Sequence, residues 1–163
     1  MKKFKLTSEF IVDISGVKLF RIKALIEFGN VKAGDLGGYI EKEKNLSHMG
    51  NAWVSGNAQV FGNARVFGNA WVSGNARVSG DTQVFGDARV SGDKDYAYAH
   101  GFGSCNRTTT FFRLKDGDVG VRCGCFYGTL AQFRDNVCET HGETKKAQEY
   151  LMLADLMDFR FKN

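Results

Sequence analysis

Residues 54–92 read VSGNAQVFGNARVFGNAWVSGNARVSGDTQVFGDARVSG, and the spelling returns every six residues. Valine stands at 54, 60, 66, 72, 78, 84 and 90, and glycine two residues after each. Alanine, once threonine, follows each of the first six valines by four residues, from Ala58 to Ala88. A strict six-residue period with one β-branched and one small position is the signature of a parallel β-helix. Side chains alternate faces along each short strand, so the valine and the small residue beyond the corner point inward. Trp53, Gln59, Arg65, Trp71, Arg77, Gln83 and Arg89 then point outward. Gly-Asn or Gly-Asp at each corner accepts left-handed backbone at low cost. Three hexads close one triangular turn, so residues 18 apart stack and Trp53, Trp71 and Arg89 form one outer ladder.

This hexad resembles the hexapeptide repeat of left-handed parallel β-helix proteins. The handedness comes from that resemblance, since it runs against the usual right-handed crossover. Many members of that group are acyltransferases and many are homotrimers. The lead-in GDLGGYIEKEKNLS (34–47), followed by GNAWVSGNA, resembles the opening of bacterial and bacteriophage hexapeptide-repeat proteins, some named transferases on fold alone. The resemblance implies fold and brings no catalytic motif, because activity lives in sites grafted on a scaffold.

The 163 residues suit one domain with an appendage, and 20 Gly with no Pro suit a corner-rich β protein. No apolar run approaches the ~20 residues of a membrane span. MKKFKLTSEF meets charge too early for a signal peptide, and the four cysteines read as thiols of a chain in the cytoplasm of an infected bacterial host. The net charge of +4 favours small anions and does not imply DNA.

Taken in order, the chain divides into an N-terminal cap (1–33), the hexapeptide-repeat β-helix (34–103) and a C-terminal module (104–163). The first fold-class element is a β-hairpin: strands 4–14 and 17–22 around Ser15-Gly16, whose Phe10, Val12, Val17, Phe20 and Ile22 need a cover. In the lead-in, Ile40 and Leu46 fall on the small-residue column and His48 on the valine column, giving a distorted capping turn. Tyr96 and Phe102 keep the valine phase after the repeat fades. At ~4.8 Å per turn the prism is about 14 Å tall, and association into a homotrimer or higher oligomer buries the surface it leaves open. In the last part, 108–114 and 119–126 flank Lys115-Asp116-Gly117-Asp118, a hairpin signal. Val119, Val121, Cys123 and Cys125 share one face of the second strand. Thr129 caps a helix to about Thr140, His141-Gly142 ends it, and a second helix over 144–158 turns Ala147, Tyr150, Leu151, Ala154 and Met157 inward. The whole is mainly β: a short β-helix, a hairpin cap, and a hairpin plus two helices as an α+β module. The strings GSCNRTTTFF, VRCGCFYGTLAQF and THG of this part resemble C-terminal segments of bacteriophage proteins.

Four groups of residues carry candidate chemistry. In GFGSCNRTTT (101–110), Gly101 and Gly103 free backbone N–H groups for an anion nest, Ser104 and Thr108 offer hydroxyls, and Arg107 offers a fork for phosphate. The plain alternative is a linker with one exposed Arg. The Trp53, Trp71, Arg89 ladder reads first as a subunit interface, then as a platform for a ligand or host protein. Cys123, Cys125, Cys138 and His141 could supply zinc ligands, but the spacing departs from C-x₂-C and buried thiols are the preferred reading, with no metal. The resemblance to acyltransferases implies a histidine base, and His100 is the histidine beside a plausible pocket.

The expectation is a non-catalytic, oligomeric, cofactor-free phage protein that sequesters a small nucleotide-like ligand. Gly101, Gly103, Ser104, Arg107, Thr108, Thr109 and Thr110 would hold its phosphate, with Tyr98, Phe102 or Trp71 against the base. Bacteriophages encode small oligomers that soak up nucleotide immune signals, which supports this by analogy. The alternatives are an acyltransferase-like enzyme acting through His100 and a structural or host-protein-binding module.

Overall fold

The structure, a computed structural model, describes residues 1–162. The chain divides into two compact units, Met1–Asp93 and Lys94–Asn163.

The first unit is built on the hexad. Seven two-residue strands follow at six-residue intervals: β4 Trp53–Val54, β5 Gln59–Val60, β6 Arg65–Val66, β7 Trp71–Val72, β8 Arg77–Val78, β9 Gln83–Val84 and β10 Arg89–Val90. They stack in parallel 18 residues apart, as β4-β7-β10, β5-β8 and β6-β9. Successive turns are joined by bonds such as Trp53 N–H to Ala70 O (3.0 Å) and Ser55 N–H to Val72 O (2.8 Å). Every valine from 54 to 90 and every alanine of the small column is fully buried. Each valine removed from water contributes about 1.5–3 kcal/mol. Thr82 takes an alanine place without cost in unpaired polarity, since its hydroxyl donates to Ser79 O at 2.6 Å. The corner glycines from Gly50 to Gly86 all have φ between 61 and 71°. Gly68 also lacks space, since a Cβ there would lie 2.9 Å from Gly86 N.

The N-terminal segment extends one sheet of the coil. β1 Phe4–Val12 and β2 Lys18–Ala24 form an antiparallel hairpin, and β3 Leu36–Ile40 joins it to the coil, in the order β1-β2-β3-β5-β8. Asp13 builds the turn, accepting from the N–H groups of Ser15 and Val17 at 2.9 Å. The covered residues are Phe4, Leu19, Ile22 and Ala24, whereas Phe10 and Val12 stand 45% and 55% exposed. A bulge between Leu6 and Phe10 re-aims the distal half of β1 and breaks the simple alternation behind the expected buried set.

The capping turn corrects a column assignment. Ile40 pairs with Val60 and Leu46 bridges to Val66, so both continue the valine column rather than the small one. Leu46 and Val54 are eight residues apart where the repeat spaces valines by six, and the extra residues form the loop that carries His48. His48 therefore leaves the column. Its ring stacks on Phe4 at 4.2 Å, Nδ1 accepts from Lys3 N–H at 3.1 Å, and Nε2 lies 3.1 Å from Glu43 Oε1.

Two side chains replace the hydrogen bonds of a missing previous turn. Within the coil, the carbonyls of Gly68 and Ala70 accept from Asn51 and Trp53 N–H groups. One turn earlier, Gly50 O and Ala52 O receive the Lys3 ammonium instead, at 3.3 and 2.7 Å. Two corners on, Gly62 O and Ala64 O receive the Asn45 amide, at 3.2 and 2.8 Å. Both side chains are fully buried, as such paired carbonyl caps require.

The second unit is a four-stranded antiparallel sheet with two helices. β11 Tyr96–His100, β12 Thr108–Arg113, β13 Val119–Cys123 and β14 Phe126–Thr129 lie in sequence order. Residues 96–100 thus pair with β12 and are not a further coil. β13 stops at Cys123, and Gly124, at φ +59°, turns the chain into β14. Cys125 is exposed in that turn and does not share the Val119, Val121, Cys123 face. α1 Leu130–His141 opens with a capping box: Gln132 N–H donates to Thr129 Oγ1 and Thr129 N–H to Gln132 Oε1, at 3.2 and 2.9 Å. α2 Lys145–Phe161 is capped by Thr144. Phe111, Val121 and Cys123 of the sheet pack with Leu130, Phe133 and Val137 of α1 and Tyr150, Ala154 and Met157 of α2.

Candidate functional site: a cleft in the second unit

The loop after β11 is drawn against α2. Gly103 N–H donates to Glu149 Oε1 at 2.8 Å, and Ser104 N–H donates to Tyr150 Oη at 2.9 Å. Gly101 N–H donates to Arg107 O at 3.3 Å. The backbone donors expected to cradle an anion are therefore engaged within the protein. Ser104 and Arg107 instead edge a cleft of about 500 Å³. Cys123 and Phe126 of the sheet, Cys125 of the turn, Tyr150 of α2 and Phe133, Asn136, Val137, Thr140 and His141 of α1 complete it.

The floor is aromatic. Phe126 and Tyr150 lie 5.7 and 5.6 Å from Phe133, and His141 lies 5.7 Å from Tyr150. The rim carries Ser104, Asn136, Thr140, His141 and Arg107, the one permanently charged side chain among the described lining residues. The Arg107 guanidinium rests on Gly124, where any Cβ would collide with Nη1. Burial raises the Tyr150 phenol above its ordinary pKa, so it stays a neutral hydroxyl at physiological pH.

The remaining candidates lie elsewhere. Thr108 bonds His100 Nδ1 at 2.8 Å on the sheet's edge strand pair. Thr109 and Thr110 are 1% exposed and face opposite sides of β12, so neither presents a hydroxyl to a phosphate; Thr109 donates to Cys123 Sγ at 3.2 Å. Tyr98 and Phe102 are exposed and do not line the cleft. His100 is exposed on β11 and does not line it either. Trp71 belongs to the first unit, where its indole N–H donates to Ser55 Oγ at 3.0 Å. Trp53 is buried, edge-on to Phe28 at 5.3 Å, while Trp71 and Arg89 are half-buried, so the outer ladder does not present two exposed indoles. Cys123, Cys125 and His141 all line the cleft without forming a cluster, and Cys138 is exposed on α1 and outside it. Among the described residues no group of three or more His, Cys, Asp or Glu side chains is placed to hold a metal ion.

Sequence reading missed the floor. Helical spacing places Phe133 and Val137 on the apolar stripe of α1 and Tyr150 in the α2 core, but their joint exposure at one opening depends on how the two helices meet the sheet. The i, i+3/i+4 continuation Phe133, Asn136/Val137, Thr140/His141 is the signal that could have found that wall.

The family model described as YdcK Beta solenoid repeat matches residues 58–74 and 72–84. The chain carries a β-solenoid repeat, in agreement with the stacked hexads. No curated protein matches the chain. Among the described residues, no helix is long and apolar enough to cross a membrane.

Proposed function

We propose that the second unit binds a small anionic molecule bearing a flat ring, a nucleotide being the chemistry that fits, and holds it without turnover. One observation carries this: a single guanidinium stands at the rim of a cleft whose floor is three aromatic rings. An aromatic floor takes a flat apolar ring by offset or edge contact. A guanidinium takes a phosphate or carboxylate through paired N–H donors. Ser104, Asn136, Thr140 and His141 supply the polar contacts that orient such a ligand. The first unit is then a scaffold. Its left-handed winding, a homotrimeric assembly, a bacteriophage origin and sequestration of an immune signal belong to this proposal and rest on the hexapeptide resemblance.

The test is capture and release. The protein is mixed with linear and cyclic nucleotides, ADP-ribose derivatives and acetyl-CoA, filtered, then heat-denatured, and both fractions are analysed by mass. A nucleotide that leaves the filtrate and returns intact on denaturation supports binding without chemistry. A chemically altered product removes the sequestering reading, and an unchanged filtrate removes the ligand.

A further inference from the structure

α2 is apolar on two opposite faces. Its inner face buries Ala147, Tyr150, Ala154, Met157 and Phe161 in the core. On the outer face Met152, Leu156 and Phe159 stand 71, 55 and 79% exposed, and spacings of four and three residues set them in one row. A helix with apolar side chains all round is ordinarily covered on every side, and a contiguous exposed apolar row marks an interaction surface. The charges beside this row are symmetric about its centre. At about 100° per residue, Glu149 and Arg160 fall on the same flank of the row, one near each end. The midpoint of Glu149 and Arg160 and the midpoint of Met152 and Phe159 both fall between residues 154 and 156. Bonds inside the chain hold both charges on that flank: Glu149 Oε1 accepts from Gly103 N–H at 2.8 Å, and Arg160 Nη2 donates to Tyr96 O at 3.4 Å. On the other flank Asp155 is paired with Arg134 at 2.6 Å and Lys162 with Asp158 at 3.0 Å.

We propose that the outer face of α2 is an interface with a second copy of this chain, the two helices packing antiparallel about a two-fold axis near Asp155. An isologous contact needs a surface complementary to itself, and this row meets that condition. In the antiparallel pair Met152 lies against Phe159 of the second copy, and Leu156 lies beside the axis against its own counterpart. Like flanks face each other, so Glu149 meets Arg160 of the second copy, and the reverse pair forms at the other end. A parallel pair would instead set Glu149 against Glu149 and Arg160 against Arg160. Burial of the six large apolar side chains supplies the affinity. The ion pairs set direction, since exposed pairs contribute little energy. A bilayer is the poorer occupant, because α2 carries three basic and three acidic side chains and lacks the basic polar face of a membrane-surface helix. The paired stretch, 149–160, is about 18 Å long. That makes a small contact by the measure of stable interfaces, so association depends on concentration.

The test is sedimentation equilibrium of the whole protein from dilute to concentrated solution. Wild type is compared with Leu156→Glu, Arg160→Glu and Glu149→Arg, each checked for helix content by circular dichroism. The expected result is a wild-type mass that doubles with concentration, whether the dilute form is one chain or the proposed trimer. Leu156→Glu should keep its dilute mass throughout. Arg160→Glu and Glu149→Arg should each associate at least about threefold more weakly than wild type. An equimolar mixture of those two should regain wild-type association, because both ion pairs form again in the mixed dimer. No doubling in the wild type, equal behaviour of wild type and folded Leu156→Glu, or a mixture no stronger than its components would overturn the proposal. Wild type that does not double but floats with phosphatidylcholine–phosphatidylglycerol vesicles would overturn it in favour of a membrane surface. No arm uses a nucleotide or a residue that lines the cleft, so the outcome is independent of the binding reading.

Discussion

Lys3 combines full burial with a charge, and its surroundings set a pH signature. Burial lowers its ammonium from an ordinary 10.5 to about 8, while Gly50 O, Ala52 O and the Phe28 ring, 4.6 Å away, receive it. Below pH 8 both folded and unfolded chains carry the proton, and the cost of burying the charge is present in full. Between about 8 and 10.5 the folded chain has released the proton and the unfolded chain has not, so stability rises with pH. The rise is at most about 3.5 kcal/mol, one pKa unit being about 1.4 kcal/mol. Lys3→Met should lose that rise along with the carbonyl cap. Urea midpoints of both proteins at pH 7 and pH 10 test this, and an equal pH response in the two would exclude the assignment. At the cleft, Gly124→Ala should weaken nucleotide capture as Arg107→Ala does, because its Cβ displaces the guanidinium from a backbone position that already favours glycine. Unchanged capture by a folded Gly124→Ala protein would show that Arg107 is placed by other contacts. The sequence singles out Arg107 and Ser104 in the loop GFGSCNR, and both edge the cleft. The Tyr150 hydroxyl was not legible, since its partner is fixed by a contact between residues 46 apart.

The elements show where local signals suffice. Thr129 with Gln132 and Thr144 fix the starts of both helices within a residue of the expected starts, because capping depends on three or four neighbouring residues. Thr129→Ala should destabilise the second unit by about 1 kcal/mol, read as a lowered denaturant midpoint with unchanged slope; no shift would mean that tertiary packing alone holds α1. The hexad was equally legible, since it dictates both the inward residues and the 18-residue stacking. Val72→Ala, in the middle of the β4-β7-β10 column, should cost roughly 2 kcal/mol from two lost methyl groups and the cavity left behind. Circular dichroism melts of the variant would check this. β11 was not legible, because Tyr96 keeps the valine phase and alternation cannot distinguish another rung from an antiparallel edge strand. The capping turn was misphased by two residues because nothing local marks the loop around His48 as an insertion.

At the scale of the molecule, the repeat commits its valines and alanines to its own core, and the proposed binding cleft lies in the second unit. A homotrimer, part of the proposed reading, predicts a light-scattering mass three times the chain's 18.1 kDa, and a monomer mass would remove it. The central claim is that Arg107 at an aromatic cleft binds a nucleotide-like anion. The most direct measurement is calorimetric titration of the captured nucleotide into wild type and Arg107→Ala. A hydrogen bond to a charged group contributes about 1.5–3 kcal/mol, so the account predicts affinity at least about tenfold weaker in Arg107→Ala, with its melting temperature unchanged. Equal affinity in the two proteins, or no heat with any nucleotide in the wild type, would contradict it.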